Sequence, residues 1–321
     1  MNSYDALIIV SFGGPEGMDD VMPFLENVVR GKNVPADRLS TIAHHYDIFG
    51  GVSPINGQNR ELKKLLERKF DSMGIKLPVY WGNRNWKPYL KDTILEMKSH
   101  GIKNALAFVT SAYGSYSGCR QYLENIEQAR KEVGEGAPQI HKLPAFFNNP
   151  NFIQVNVKNI QEQIEKLPAN EKKFFHIAFT AHSIPTSMSQ TSPYLLQLQR
   201  TCQAVAQKLR TQNWKLVFQS RSGPPTVPWL DPDISEHLET LAKQGFKSVI
   251  ASPIGFISDH MEVIYDLDVE AKQKAEELGI TLYRAKTPGN DPLMIDMISS
   301  IVQNYLNGKE MIACKPHCCT R

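Results

Sequence analysis

A chain of 321 residues is longer than a single hydrophobic core normally grows, about 250–300 residues, so two domains are expected. With 41% hydrophobic and 21% charged residues the composition is that of a folded globular protein, not a disordered one. A formal net charge of only +3 argues against an extended nucleic-acid surface, and no apolar stretch approaches the ~20 residues of a membrane span.

The opening residues, MNSYDALIIVSFGG, place no basic region ahead of a short apolar run. That run reads as a strand and not as a signal peptide, so a cytoplasmic location is expected. Cys119 and Cys202 stand apart, whereas Cys314, Cys318 and Cys319 crowd the C-terminus. Five cysteines is an odd number, and a reducing compartment disfavours disulfides. The cluster therefore points to metal or redox chemistry.

In chain order, residues 6–10 (ALIIV) form a buried strand that ends at Gly13-Gly14-Pro15. Helical spacing follows over 19–29 and 59–70, a strand over 77–81, a helix over 91–99, a strand over 104–110 and a helix over 120–133. The order then repeats: strands over 174–180, 214–219, 248–253 and 281–284, with helices over 194–210, 234–244, 260–278 and 295–305. Such alternation predicts an α/β protein with parallel sheets covered by helices on both faces, in two doubly wound, Rossmann-like units. The units are expected over 1–150 and 151–306, followed by a Cys-rich tail over 307–321.

Ligands of open parallel sheets sit at the carboxyl ends of the strands. The residues that follow each strand therefore take the functional reading, among them Phe12, Arg84, Tyr113, His182, Ser220 and Gly255. A histidine such as His182 at a strand end serves equally as ligand, base or hydrogen-bonded loop residue. Glu262, Asp266 and Glu270 recur at i, i+4 and i+8 on the helix after Gly255. This row is either a solvated face or a path for cations or protons. Like charges at that spacing cost a helix a few tenths of a kcal/mol. Imidazole with carboxylate suits a borderline divalent ion such as Fe²⁺ and leaves coordination positions open. Cys202 lies among apolar residues of a helix and reads as buried and inert.

The segments Ser11-Phe12-Gly13-Gly14-Pro15, Gly50-Gly51-Val52-Ser53-Pro54-Ile55, Gly82-Asn83-Arg84-Asn85-Trp86, Ala181-His182-Ser183-Ile184-Pro185, Gln219-Ser220-Arg221-Ser222-Gly223-Pro224 and Gly255-Phe256-Ile257-Ser258-Asp259-His260-Met261-Glu262-Val263 together resemble, in order, those of the ferrochelatase family, over about residues 4–306. The resemblance implies two Rossmann-like domains with a porphyrin-binding cleft between them, and the insertion of Fe²⁺ as a substrate in haem synthesis. It implies that His182 and Glu262 are the catalytic, metal-binding pair and that Asp266 and Glu270 continue a proton or metal path. By the same resemblance Phe12, Ser53 and Tyr122 contact the porphyrin. Phe12 stands where some relatives carry a tyrosine or methionine, and phenylalanine offers the iron no axial ligand.

The macrocycle is expected to be held distorted, so that its nitrogen lone pairs turn toward the metal. The motif set is most similar to bacterial forms that act on coproporphyrin III and yield its iron complex; protoporphyrin IX is the alternative. Arg30, Lys32 and Arg38, with His44 and His45 nearby, would pair with extra propionates or form an ordinary basic loop. Four thiols, Cys119, Cys314, Cys318 and Cys319, match what a [2Fe–2S] cluster requires. Some members of the family carry such a cluster on one internal and three C-terminal cysteines. The C-x3-C-C spacing departs from better-known tails, and zinc or unliganded thiols are the alternatives. The expected partners are the porphyrin and, transiently, neighbouring haem-synthesis enzymes, with no nucleic acid and no transmembrane segment. The competing functions are a cobalt or nickel chelatase and a non-catalytic haem or porphyrin carrier.

Overall fold

The computed structural model describes residues 4–31, 34–223, 226–309 and 318–319. The chain divides into two units. The first takes the residues up to Thr110, then Gln121–Pro144 and the chain from Ile295 onward through the last helix. The second takes Ser111–Arg120 and Ala145–Met294, together with Cys318 and Cys319.

In the first unit, strands β1 (Ala6–Ser11), β2 (Val79–Asn83), β3 (Asn104–Val109) and β4 (Gln139–Lys142) form a parallel sheet in the order β2-β1-β3-β4. Every residue of β1 is buried, as a central strand covered on both faces must be. Alternate residues Ala6, Ile8 and Val10 face α4 (Leu90–Ser99) and α5 (Gln121–Val133). Those helices bury Leu90, Ile94 and Met97, and Tyr122, Ile126 and Ala129, at helical spacing. This unit also holds α1 (Met18–Val28), α2 (Ala36–Asp47) and α3 (Ile55–Ser72), which buries Leu62, Leu66 and Phe70.

The second unit repeats the plan. Strands β5 (His176–His182), β6 (Trp214–Gln219), β7 (Ser248–Ser252) and β8 (Thr281–Arg284) run parallel in the order β6-β5-β7-β8. Ala178, Val217, Val249 and Ala251 share one core with Ile234, Leu238 and Leu241 of α9 (Ile234–Lys243). This unit also carries α6 (Pro150–Ile164), α7 (Thr186–Gln190) and α8 (Tyr194–Leu209). Cys202 of α8 is fully buried, and burial pushes its thiol pKa up, so it stays protonated packing. Among the described residues no helix is long and apolar enough to cross a membrane.

Four elements escape the periodicity. β4 is only four residues long and α7 five. Helix α2, ADRLSTIAHHYD, sets Ser, Thr, two His and Tyr, weak helix formers, among its better ones and has little apolar stripe. The sequence of α6, PNFIQVNVKNIQEQI, mixes β-branched residues into a helix. Its start was nonetheless written in Asn149, whose side chain accepts a hydrogen bond from the Asn151 N–H, followed by Pro150 at the first turn. The expected single helix over 260–278 is α10 (Met261–Tyr265), a π turn (Asp266–Ala271) and α11 (Lys272–Glu277). The last helix, α12, spans Pro292–Leu306.

Candidate active site

In each sheet the chain first extends one way from the initial strand and then the other. The reversal falls between β1 and β3, and between β5 and β7. Connections leave such a point on opposite faces and open a crevice at the strand ends. His182 ends β5, and the segment leading to Glu262 leaves β7. Gly255 makes their approach feasible: its N–H donates to the Thr180 carbonyl at 3.0 Å. A Cβ at Gly255 would stand 2.6 Å from that of Ala181, closer than carbon atoms pack.

His182 and Glu262 meet there, with Nε2 3.4 Å from Oε1. The other ring nitrogen, Nδ1, bonds the Ser183 carbonyl. That contact fixes the tautomer and leaves Nε2 as the end that holds a proton or a metal. The strand end is pinned by Tyr194, whose hydroxyl donates to the His182 carbonyl at 3.0 Å. Burial pulls the His182 pKa down. Attraction to the Glu262 carboxylate, helped by the Ser183 carbonyl and Asp266, outweighs it and lifts the imidazole to about 8. His260 Nε2 lies 3.9 Å from the second Glu262 oxygen. Its pKa is lowered, burial being the main cause.

Behind this pair, Asp266 is reached from the end of β6. Ser220 donates its hydroxyl to Asp266 Oδ2, and Gln219 donates to the Glu262 carbonyl. Ser220 is a non-glycine residue with φ 60°, a conformation that costs of order 1–3 kcal/mol and clusters at functional sites. Burial, with repulsion from Glu262 and Glu270 and against the Ser220 hydrogen bond, lifts the Asp266 carboxyl to about 7. The Glu270 pKa is also raised, first by burial and then by Asp233.

The π turn aligns these acids. Four residues overshoot one turn of an α-helix, at about 3.6 residues per turn, and fall short of a wider π turn. The step from Glu262 to Asp266 and the step from Asp266 to Glu270 therefore offset each other, where a continuous α-helix would drift around its axis.

The first unit holds the residues predicted to contact the porphyrin. Phe12 follows β1 and packs edge-on against Phe24, with ring centroids 6.2 Å apart. The Arg84 guanidinium lies 5.8 Å from the Phe12 ring centre and 4.4 Å from that of Tyr122. Arg84 Nε also donates to Asn125 Oδ1 at 2.7 Å. Phe12 and Tyr122 are thus gathered on one cation. Ser53 is buried at the Gly14 turn, where a Cβ on residue 14 would come within 2.6 Å of its own. Arg30 donates to Asn27, which in turn bonds the Asn85 carbonyl and the Tyr89 hydroxyl. In the basic segment His44 pairs with Asp47 at 2.6 Å, and Lys32 lies outside the described residues.

Among the cysteines, Cys119 is buried in a π turn (Tyr116–Arg120), its N–H bonded to the Ser115 carbonyl at 2.9 Å. Cys319 is also buried, at φ 57°, and its sulfur lies 3.5 Å from where a Cβ on Gly114 would stand. Cys318 is half-buried, and Cys314 lies outside the described residues. Among the described residues no three His, Cys, Asp or Glu side chains converge into a metal-chelating group.

Sequence reasoning gave Tyr194 no site role, and it quoted His260, Gln219 and Ser220 only within strand-end and family-like segments, without a role of their own. Their roles arise from contacts between distant segments. Ser220 did carry a signal, as the residue just after a strand end.

Known proteins share this fold. A structure of SirB from Bacillus subtilis with Fe³⁺ superposes with a TM-score of 0.56 at 10% identity, over 96% of this chain and 100% of that one. The sirohydrochlorin chelatase SirB of Bacillus subtilis subspecies spizizenii, in complex with cobalt, gives 0.54 at 7% identity over 95% and 96%. These establish the shared chelatase-like fold. In sequence, the chain is 52% identical over 305 residues to a ferrochelatase of Rhodopirellula baltica, covering 94% of this chain and 86% of that one. It is 48% identical over 312 residues to a coproporphyrin III ferrochelatase of Nocardia farcinica, covering 95% and 89%. With the family model matching residues 4–306, the chain belongs to the ferrochelatase family.

Proposed function

We propose that the protein inserts Fe²⁺ into coproporphyrin III, releasing the two pyrrole N–H protons and yielding the iron complex for haem synthesis. The observation that carries this reading is His182 Nε2 facing Glu262 at 3.4 Å, where the chain reverses in the second sheet. His182, near 8, and Asp266, near 7, both titrate around neutral pH, where a group can accept and release a proton in turn. In this reading His182 accepts a pyrrole proton at Nε2, or holds the iron there once neutral. Glu262, Asp266 and Glu270 form the acidic path along which divalent charge and protons are exchanged. Phe12, Ser53 and Tyr122 contact the porphyrin, and Arg30 pairs with a propionate. Phe12 has no ligating atom, so no axial ligand comes from that side chain.

The substrate is favoured by relatives named coproporphyrin III ferrochelatase, which are 44–48% identical over most of this chain. Under anaerobic conditions, Fe²⁺ with coproporphyrin III should bleach the free-base spectrum at a kcat/KM at least about tenfold above that with protoporphyrin IX. Equal or faster turnover of protoporphyrin IX would reverse the assignment, and tight binding without turnover would make the protein a carrier. The reading puts this reaction in the cytoplasm, with transient hand-over of porphyrin between neighbouring haem-synthesis enzymes.

We further assign a [2Fe–2S] cluster to Cys119, Cys314, Cys318 and Cys319. The fit rests on two buried thiols: Cys119 lies in the π turn Tyr116–Arg120, and the Cys319 sulfur lies against the space that Gly114 leaves free. Such a cluster would supply one-electron redox capacity. Anaerobically purified protein should be brown, and Cys119→Ser and Cys319→Ser should each lose the visible absorption. A colourless protein holding stoichiometric zinc would replace the cluster with a zinc site.

A further inference from the structure

Arg284 ends β8, and its guanidinium reaches back to the segment that carries the acids. Nη1 lies 3.0 Å from Asp259 Oδ1, and Nε lies 2.6 Å from Asp268 Oδ1. The side chains of Arg284, Asp259 and Asp268 are 21%, 20% and 37% exposed, so the Asp259 contact is sheltered and stronger than a surface ion pair, and the Asp268 contact is partly so. The backbone beneath is fixed as well, because the Ala285 N–H donates to the Ala251 carbonyl of β7 at 2.9 Å.

The two carboxylates occupy telling positions. Asp259 lies just before α10, and Asp268 lies inside the π turn. Between them come His260, Glu262 and Asp266. A π turn is rare and occurs mostly as a single turn inserted in an α-helix, frequently at a functional site. We propose that Arg284 is a positioning residue for metal insertion. By clasping Asp259 and Asp268, it fixes the register of the turn that presents Glu262 to His182 and lines up Asp266 behind it. A planar fork with separate donors can bridge two carboxylates at once, whereas a lysine ammonium on a flexible stem cannot hold the same geometry.

This inference rests on the iron-insertion reading and deepens it. Arg284→Gln should raise the KM for Fe²⁺ about tenfold, the scale seen when a group that orients metal ligands is lost. Porphyrin affinity, followed by fluorescence quenching, should stay within about twofold, because no contact to the proposed porphyrin residues changes. Arg284→Lys should recover part of the loss. Asp268→Asn should reproduce it, and the Arg284→Gln/Asp268→Asn double variant should be no worse than either single variant. Hydrogen exchange of amides 259–271 should quicken in Arg284→Gln, with the rest of the second unit unchanged.

An unchanged KM for Fe²⁺, a fall in porphyrin affinity equal to that for metal, or additive single effects would each overturn the proposal. If the unsubstituted protein inserts no iron into either porphyrin, the functional reading fails. The exchange rates of 259–271 in Arg284→Gln then still decide whether the clasp exists.

Discussion

Glu262→Gln should lower kcat for iron insertion by at least about 100-fold, the usual worth of a positioned acid–base group, while coproporphyrin affinity changes by less than about threefold. Glutamine keeps the shape and removes the charge. In the folded protein burial alone would depress His182, and the Glu262 carboxylate is the foremost group that lifts it to about 8. With the charge gone, the imidazole pKa falls. The acid limb of the pH profile, which for the unsubstituted enzyme should rise up to about pH 8 as His182 gives up its proton, should therefore shift to lower pH. Loss of rate and displacement of that limb together identify Glu262 as the partner of His182. A slow variant with the limb unmoved would make Glu262 a metal-handling group that does not set the imidazole. Normal turnover would remove it from the site altogether.

The stability consequence of the same pair has a definite sign. A histidine whose folded pKa is raised contributes stability below its unfolded value of about 6.5, and that contribution is lost as pH rises through about 8. Glu262 is 51% exposed and His182 30%, so solvent screens much of that gain. The pair therefore contributes little to stability, in keeping with the chemical role proposed for it.

Much of this was legible from residues alone, for reasons that also explain the rest. Parallel strands buried on both faces must be continuous apolar runs, so ALIIV and NALAFV stood out. An edge strand such as QIHK, with one of its four residues buried, has no such pattern. Strand-end logic picked out Phe12, His182 and Ser220, but it cannot say which strand ends meet. That depends on strand order, which turns on the reversal between β5 and β7. The acids at i, i+4 and i+8 were visible. The π turn that realigns them was not, because its register is held by Arg284 at the end of β8 and by Gln219 and Ser220 at the end of β6, and none of those ties is local in sequence. Arg284 itself looks like any basic residue at the end of a short strand.

A second strong effect is expected at the opposite end of the second sheet. His176 begins β5 and His237 lies on α9, and their Nε2 atoms are 3.0 Å apart in a buried contact. One imidazole must donate and the other, which must be neutral, accept; burial of both rings keeps the donor neutral as well at neutral pH. Burial, together with repulsion from Lys215 and, for His176, from His237, pulls each down to about 4. A depressed histidine contributes stability that is present above the unfolded pKa of about 6.5 and is lost as pH falls toward the folded value. By pH 5 the penalty is about 2 kcal/mol per imidazole, so roughly 2–4 kcal/mol for the pair.

Replacing both partners by apolar residues of similar size, His176→Leu with His237→Leu, removes the titration and leaves no orphaned donor. Urea unfolding at about pH 7.5 and pH 5 should then show the unsubstituted protein losing about 2–4 kcal/mol more than the double variant across that interval. Asp266 gives the opposite slope, since its carboxyl is raised to about 7, and His182 also holds its proton more tightly when folded. Both contributions are common to the two proteins and drop out of the comparison. Equal acid slopes would mean that the His176–His237 contact opens to water before either ring is protonated. The single variant His237→Leu should be worse than the double at neutral pH, because it strands the His176 nitrogen in an apolar pocket beside Phe246, where an unpaired polar group costs about 1–3 kcal/mol.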